Sequence, residues 1–139
     1  MTPDGPARRG LEIRVLPGTL AVARLDRGAA LPAWARGDGA EVLHAVVRTP
    51  HETSVVCADA SVPPDVRAER GWRALEVAGP LDHELTGVLA SIAVPLAGAG
   101  VAIFAIATYD TDYVLIRDER LADAVRALRD AGHRVSDHA

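Results

Sequence analysis

The C-terminal half of the chain limits the fold most, because apolar runs and helical stripes alternate there in a fixed order. The run "RALEVAG" at 73–79 alternates like a strand and ends in a Gly-Pro pair. Asp82 then occupies the position of a helix N-cap, Pro95 falls in the last predicted turn, and Gly98 and Gly100 end the helix. The apolar stripe of this helix consists of Leu85, Val88, Leu89, Ile92 and Leu96.

Two further strands and a second helix follow. "VAIFAIA" at 101–107 is apolar throughout, which predicts a strand covered on its helix-packed face, and "YVLIR" at 113–117 is another strand. Asp118 is expected to cap a helix that Gly132 ends, and "HRV" begins a last short strand. The order strand, helix, strand, strand, helix, strand predicts a ferredoxin-like unit, an antiparallel sheet with both helices on one face.

The N-terminal half shows a blurred version of the same order. Its strands are "LEIRVLPG", "TLAVARL" and the hairpin "VLHAVVRT"–"TSVVCA", while "LPAWARG" and "VPPDVRAERG" offer only short helices or turns. We therefore predict an α+β fold of two ferredoxin-like βαββαβ repeats packed as one unit, with the first repeat irregular. The predicted boundaries are a disordered lead at 1–10, repeats at 11–66 and 67–135, and a tail at 136–139.

Composition excludes several classes of protein. The net charge is -4, and all 15 basic residues are scattered arginines, so no basic face for nucleic acid is expected. No run is long enough to span a membrane and the lead has no signal-peptide core, which predicts a cytoplasmic protein. Cys57, the single cysteine, lies in an apolar strand and is expected to be a small buried side chain.

The segment "AIATYDTDYVLI" at 105–116 carries more polar chemistry than a strand-to-strand turn requires. Thr108 offers a hydroxyl, Tyr109 a ring and Asp112 a carboxylate that can pair with a cationic group. Each has a structural alternative, since Tyr109 can pack on a neighbouring strand and Asp112 can serve the strand alone. Asp110 and Thr111 are expected to form the turn itself. The "DTD" triplet lacks the rest of an EF-hand loop, and the five histidines have no metal-ligand spacing.

The stretch "GPLDHELTGVLASIAVPLAGAGVAIFAIATYDTDYVLI" resembles an ACT domain, and "RTPHETSVVC" and "ERGWRALEV" extend the likeness. The chain is most similar to tandem ACT proteins of the type of the CASTOR arginine sensors and their small bacterial relatives. It departs from the sensors in having two repeats instead of four. It also places Asp82 and Leu85 where the sensors have a glycine and an acidic residue.

The resemblance implies a regulatory module that holds an amino acid or related metabolite between the two repeats. A Ser-Val strand, a helix start and a Thr-aromatic strand end supply the contacts in that group. Carried over to this chain, the ligand-binding residues are Ser54, Val55, Asp82, His83, Glu84, Gly87, Val88, Thr108, Tyr109 and Asp112.

The function expected from the sequence is small-molecule binding without catalysis, cofactor or metal. The chain has no lysine, no Ser-His or Cys-His constellation and no Gly-rich phosphate loop, which leaves an enzyme without its usual groups. The alternative is an interaction scaffold with a vestigial pocket. We expect a homodimer in either case, since small open sheets expose edge strands, and an unidentified regulated protein as a further partner.

Overall fold

The computed structural model describes residues 10–78 and 86–137, which divide into two compact units. The N-terminal unit consists of residues 17–72. The C-terminal unit consists of residues 10–16, 73–78 and 86–137. The division places residues 11–16 with the second unit, although the sequence predicts them in the first repeat, because the strand they form pairs with strands of the second unit.

Eight strands and two α-helices make up the described residues. The strands are β1 (Glu12–Val15), β2 (Leu20–Asp26), β3 (Ala45–Arg48), β4 (Glu52–Ala58), β5 (Ala68–Val77), β6 (Phe104–Ala107), β7 (Asp112–Arg117) and β8 (Arg134–Asp137). The helices are α1 (Val88–Gly98) and α2 (Leu121–Asp130), and 3-10 turns occupy Ala33–Ala35, Asp59–Ser61 and Asp118–Arg120. No helix in these ranges is long and apolar enough to cross a membrane.

The N-terminal unit is an antiparallel sheet in the order β3–β4–β2–β5, to which β5 contributes residues 68–72. Its described residues contain 3-10 turns where a complete ferredoxin-like repeat has helices, so this repeat is irregular, as the sequence predicts. The core consists largely of small side chains: Ala21, Ala23, Ala35, Val55, Cys57 and Val62. Cys57 is only 2% exposed, which confirms its expected role as a buried side chain.

A β-bulge bends β5 at Gly71, which has a φ of +75°. The register of β2 against β5 shifts at this point, between Leu20 and Val22. The Asp59 carboxylate fixes the bulge, because its Oδ2 accepts the Gly71 N–H at 2.8 Å while its Oδ1 pairs with Arg70 at 3.0 Å. Glycine adopts this left-handed conformation without steric strain, which explains the sequence "ERGW" in the middle of a strand.

The C-terminal unit contains the order predicted from its sequence, and the ferredoxin-like fold class is confirmed. Its sheet runs β6–β7–β5–β1–β8, and both helices pack their apolar residues into one core cluster on one face. Strand β1 was not predicted in this sheet, where it pairs antiparallel with β5 and parallel with β8. The sheet therefore has five strands and includes one parallel pair.

Three local predictions differ from the structure. Strand β6 is largely exposed, with Phe104 at 36%, so the expectation of a covered strand is wrong for this edge. Helix α1 begins at Val88 after the left-handed N-cap Gly87, whereas the sequence places its start at Asp82, which lies outside the described residues. Asp118 opens a 3-10 turn and pairs with Arg73 at 3.2 Å without capping α2.

The buried imidazole of His133 joins three elements of the C-terminal unit. Its Nδ1 accepts the Leu11 N–H at 2.9 Å, and its Nε2 lies 2.8 Å from the Ser91 carbonyl oxygen. Since Nδ1 accepts a hydrogen bond, the ring proton resides on Nε2 and is donated to Ser91. Pro95 has no N–H to offer the carbonyl four residues before it, so the α1 bond that proline removes is replaced by the histidine.

We expect His133→Ala to destabilise the protein by about 3 kcal/mol, because it leaves a buried N–H and a buried C=O without partners. Pro95→Ala should recover part of that loss in the His133→Ala background, since the new alanine has a backbone N–H that can donate to the Ser91 carbonyl. Urea unfolding of the four proteins of this double-mutant cycle measures the coupling. Additive effects of the two substitutions would contradict the proposed replacement.

Candidate ligand site

The sequence-predicted site residues fall into three groups in the structure. Ser54 and Val55 belong to the N-terminal unit, and Asp82, His83 and Glu84 lie outside the described residues. The remaining five belong to the C-terminal unit: Gly87, Val88, Thr108, Tyr109 and Asp112.

The turn between β6 and β7 is closed by the hydrogen bonds of Thr108. Its backbone N–H donates to the Thr111 carbonyl at 2.8 Å, and its hydroxyl accepts the Thr111 N–H at 3.1 Å. The Thr111 hydroxyl donates to the Val77 carbonyl at 2.7 Å, which holds the turn against the C-terminal end of β5. Thr108 and Thr111 therefore build part of the candidate site, which we call the rim: Gly87 and Val88 at the start of α1 and the turn from Thr108 to Asp112. The hydrogen bond of Thr111 to β5 is a contact that the sequence prediction missed.

Asp112 begins β7 on the same face of the sheet as the two helices. Val114 and Ile116, which alternate with it along the strand, both belong to the core cluster that α1 and α2 cover. The Asp112 side chain is half-buried, and its carboxylate forms no hydrogen bond or ion pair with the described residues. A partly desolvated carboxylate without a partner is unfavourable, and a bound cation would relieve that cost.

The N-terminus of α1 packs into the same core as the strands beside the turn. Val88, the first residue of the helix, is buried in the core cluster to which Val77 of β5 and Val114 of β7 also belong. No side chain of the described residues caps this terminus, and its first turn carries no acidic residue. The first N–H groups of the helix are therefore available to an anion, which the helix dipole also favours.

On the opposite face of the sheet, three strands are joined by one carboxylate. Glu76 Oε2 accepts the Tyr113 hydroxyl at 2.7 Å, and Glu76 Oε1 pairs with Arg14 at 2.9 Å. Burial, the hydrogen bond to Glu76 and its negative charge raise the pKa of Tyr113 to about 12. These bonds tie β7, β5 and β1 together next to the rim and fix the direction of the turn.

Ser54 and Val55 have local roles in the N-terminal unit. The Ser54 hydroxyl donates to Glu52 at 2.6 Å, and Val55 is fully buried in the core. Strand β4 pairs with β2 on one side and β3 on the other, so the Val55 backbone is used in the sheet as well. The case for a ligand site consequently depends on the residues of the C-terminal unit.

Two cavities formed by described residues have linings that include none of the rim residues. An open groove of about 570 Å³ runs between α2 and β8, where Arg129 donates to the Val135 carbonyl at 2.7 Å. A second hollow of about 380 Å³ lies in the N-terminal unit beside Trp34 and Cys57. The rim, in contrast, is exposed, and its Tyr109 ring is 83% exposed. Cavity size alone identifies no ligand, and the polar groups that could recognise one lie at the exposed rim.

The comparisons with known proteins agree with this fold. A model of the ACT domain matches residues 67–130, and a model of an N-terminal domain matches residues 18–65. Protein Atu0741 from Agrobacterium tumefaciens is 34% identical, with a TM-score of 0.86, over 94% of this chain and 95% of its own. Residues 67–130 are an ACT domain.

More distant solved structures share the fold alone. VC0802 from Vibrio cholerae, described as a protein of unknown function and possible transport protein, is 17% identical with a TM-score of 0.72, and the match covers 91% of this chain and 93% of that one. The regulatory subunit of aspartate kinase from Thermus thermophilus is 16% identical with a TM-score of 0.57, over 88% and 95% of the two chains. No curated protein matches. ACT domains are generally regulatory modules that bind small molecules.

The Tyr113–Glu76 bond predicts a distinctive alkaline titration of this ACT protein. In a Tyr109→Phe variant Tyr113 is the only tyrosine, and its ultraviolet absorbance should titrate at about 12 in the folded state. Because folding raises this pKa above its ordinary value of 10.0, the stability that Tyr113 contributes is present below pH 10 and lost between pH 10 and 12. A folded protein that titrates near 10, like the urea-unfolded control, would contradict the bond.

Proposed function

We propose that this protein is a non-catalytic ACT sensor that binds a free amino acid at the rim of its C-terminal unit. The rim consists of the start of α1 at Gly87 and Val88 and of the β6–β7 turn from Thr108 to Asp112. The ACT-domain match and the polar chemistry of this rim support the proposal.

The observation that carries it is the pairing of opposite electrostatic features at one end of the core. The N-terminus of α1, which no described side chain caps, favours a carboxylate, and Asp112, which has no partner among the described residues, favours an ammonium or guanidinium group. A free amino acid contains both groups. Gly87, exposed and without a side chain, lets such a ligand approach the backbone closely.

The other predicted contacts differ in the evidence that supports them. Thr108 shapes the rim through its turn bonds, and Tyr109 presents a ring that can cover a ligand. The resemblance alone supports a role for four further residues: Asp82, His83, Glu84 and Ser54. It is also the only support for the predicted location of the ligand between the repeats. The scaffold function is the second candidate, which the apolar outer face of α1 favours: Leu89 is 39% and Val94 68% exposed.

Calorimetric titration of the wild type with basic, neutral and acidic amino acids tests the proposal. Asp112→Asn should weaken binding of the preferred ligand at least about tenfold, the usual effect of losing a charge-assisted hydrogen bond. Asp110→Asn is the matched control, because it removes an exposed carboxylate from the same turn and should leave the affinity unchanged. Ser54→Ala tests the contribution of the N-terminal unit.

Two results would overturn the proposal. Equal affinity of the wild type and Asp112→Asn would exclude the carboxylate from recognition. A wild type that binds none of the twenty amino acids would favour the scaffold, which predicts a dimer by light scattering with or without added amino acids.

A further inference from the structure

The hollow in the N-terminal unit has a lining that differs in composition from the rim and that carries negative charge. Its volume is about 380 Å³, enough for a small metabolite. Its lining combines an aromatic ring, a thiol and two carboxylates with small residues: Ala33, Trp34, Gly37, Asp38, Ala40, Glu41, Cys57, Ala58 and Ser61.

A ring and a buried thiol form the apolar part of this hollow. Trp34, in the 3-10 turn Ala33–Ala35, packs partly against the core of the unit. Cys57 is one of the residues that line the hollow; it is 2% exposed, and its thiol forms no hydrogen bond with the described residues. Burial, and next the negative charge of Glu41, raise the pKa of Cys57, so the thiol stays protonated and neutral.

The polar part of the hollow is anionic and held in place by the loop that carries it. Glu41 Oε1 accepts the Asp38 N–H at 2.5 Å, and Asp38 Oδ1 accepts the Ala40 N–H at 2.9 Å. The Ala40 bond is the main reason why the pKa of Asp38 is lowered. Gly37 adopts a φ of +73°, and a Cβ there would lie 2.9 Å from Glu41 Oε2, so glycine leaves room for this carboxylate.

The nearby cationic groups of the unit are engaged elsewhere. Arg36 donates to the Leu31 carbonyl at 3.1 Å, and Arg70 pairs with Asp59 at 3.0 Å. The His44 ring binds the Ala35 carbonyl at 2.8 Å. Neither Asp38 nor Glu41 forms an ion pair with the described residues, so the hollow has two negative charges without a countercharge.

We propose that this hollow binds a small organic cation, a primary ammonium or guanidinium compound, with its charge on Glu41 and its alkyl chain against Trp34 and Cys57. Trp34 adds a cation–π attraction, which is strongest for an indole. A metal ion fits poorly, because the thiol is neutral and the described residues contain no group of three metal ligands. This site is separate from the amino-acid rim, and its occupant needs no carboxylate.

Titration with butylammonium chloride, followed through the two tryptophan indole N–H signals in NMR spectra, tests the proposal. The Trp34 signal, assigned with a Trp34→Phe variant, should shift and saturate at millimolar concentration, while 1-butanol and sodium chloride should not reproduce the shift. Glu41→Gln should weaken binding at least about tenfold, since its amide oxygen still accepts the Asp38 N–H but carries no charge. Glu119→Gln, an exposed carboxylate of the C-terminal unit, should bind like the wild type.

Equal binding by Glu41→Gln and the wild type would overturn the proposal, as would a shift of the same size with 1-butanol or no saturable shift at all. Asp112→Asn should bind butylammonium like the wild type, so the proposal for this site and the proposal for the amino-acid rim can be refuted independently of each other. Retention of the wild-type signals of residues 37–44 in Glu41→Gln shows that the loop is still folded.

Discussion

The structure of the C-terminal unit depends on the insertion of β1 between β5 and β8. This strand supplies Ile13 and Val15 to the helix-covered core and Arg14 to the Glu76 carboxylate on the other face. His133 fixes its start by accepting the Leu11 N–H and donating to Ser91 of α1. One imidazole therefore compensates for Pro95 in the helix and also positions the strand, which couples the order of the sheet to the helix beside the rim.

The rim follows from this framework. The Glu76 carboxylate forms an ion pair with Arg14 and accepts a hydrogen bond from the Tyr113 hydroxyl. These two bonds link β7 to β1 and β5 and fix its direction. Thr111 then fastens the turn to the end of β5, and α1 begins over the same core residues. Asp112 lies at this point as a half-buried carboxylate without a hydrogen bond or ion pair to the described residues, and we propose that a ligand supplies its partner.

The sequence predicts the parts of this arrangement that depend on local periodicity. The stripe from Val88 to Leu96 and the Thr108–Asp112 turn could be read directly, because helix spacing and turn residues are local signals. The position of β1 in the sheet could not be predicted, because an apolar strand pattern does not indicate which strands it pairs with. The bond between Arg14 and Glu76 joins residues 62 positions apart in the sequence. The exposed face of β6 and the hollow beside Trp34 also escaped prediction: an apolar run does not reveal which face is covered, and the hollow requires the loop around Gly37.

Backbone hydrogen exchange with and without amino acids tests the central claim, that the rim is a ligand site. Under saturating ligand, the account predicts slower exchange of the N–H groups at 88–90, which would bind the ligand carboxylate, and of those at 108–112. Asp112→Asn should abolish that protection at the same ligand concentration. Unchanged exchange in both segments with each of the twenty amino acids, or protection confined to the N-terminal unit, would contradict the account.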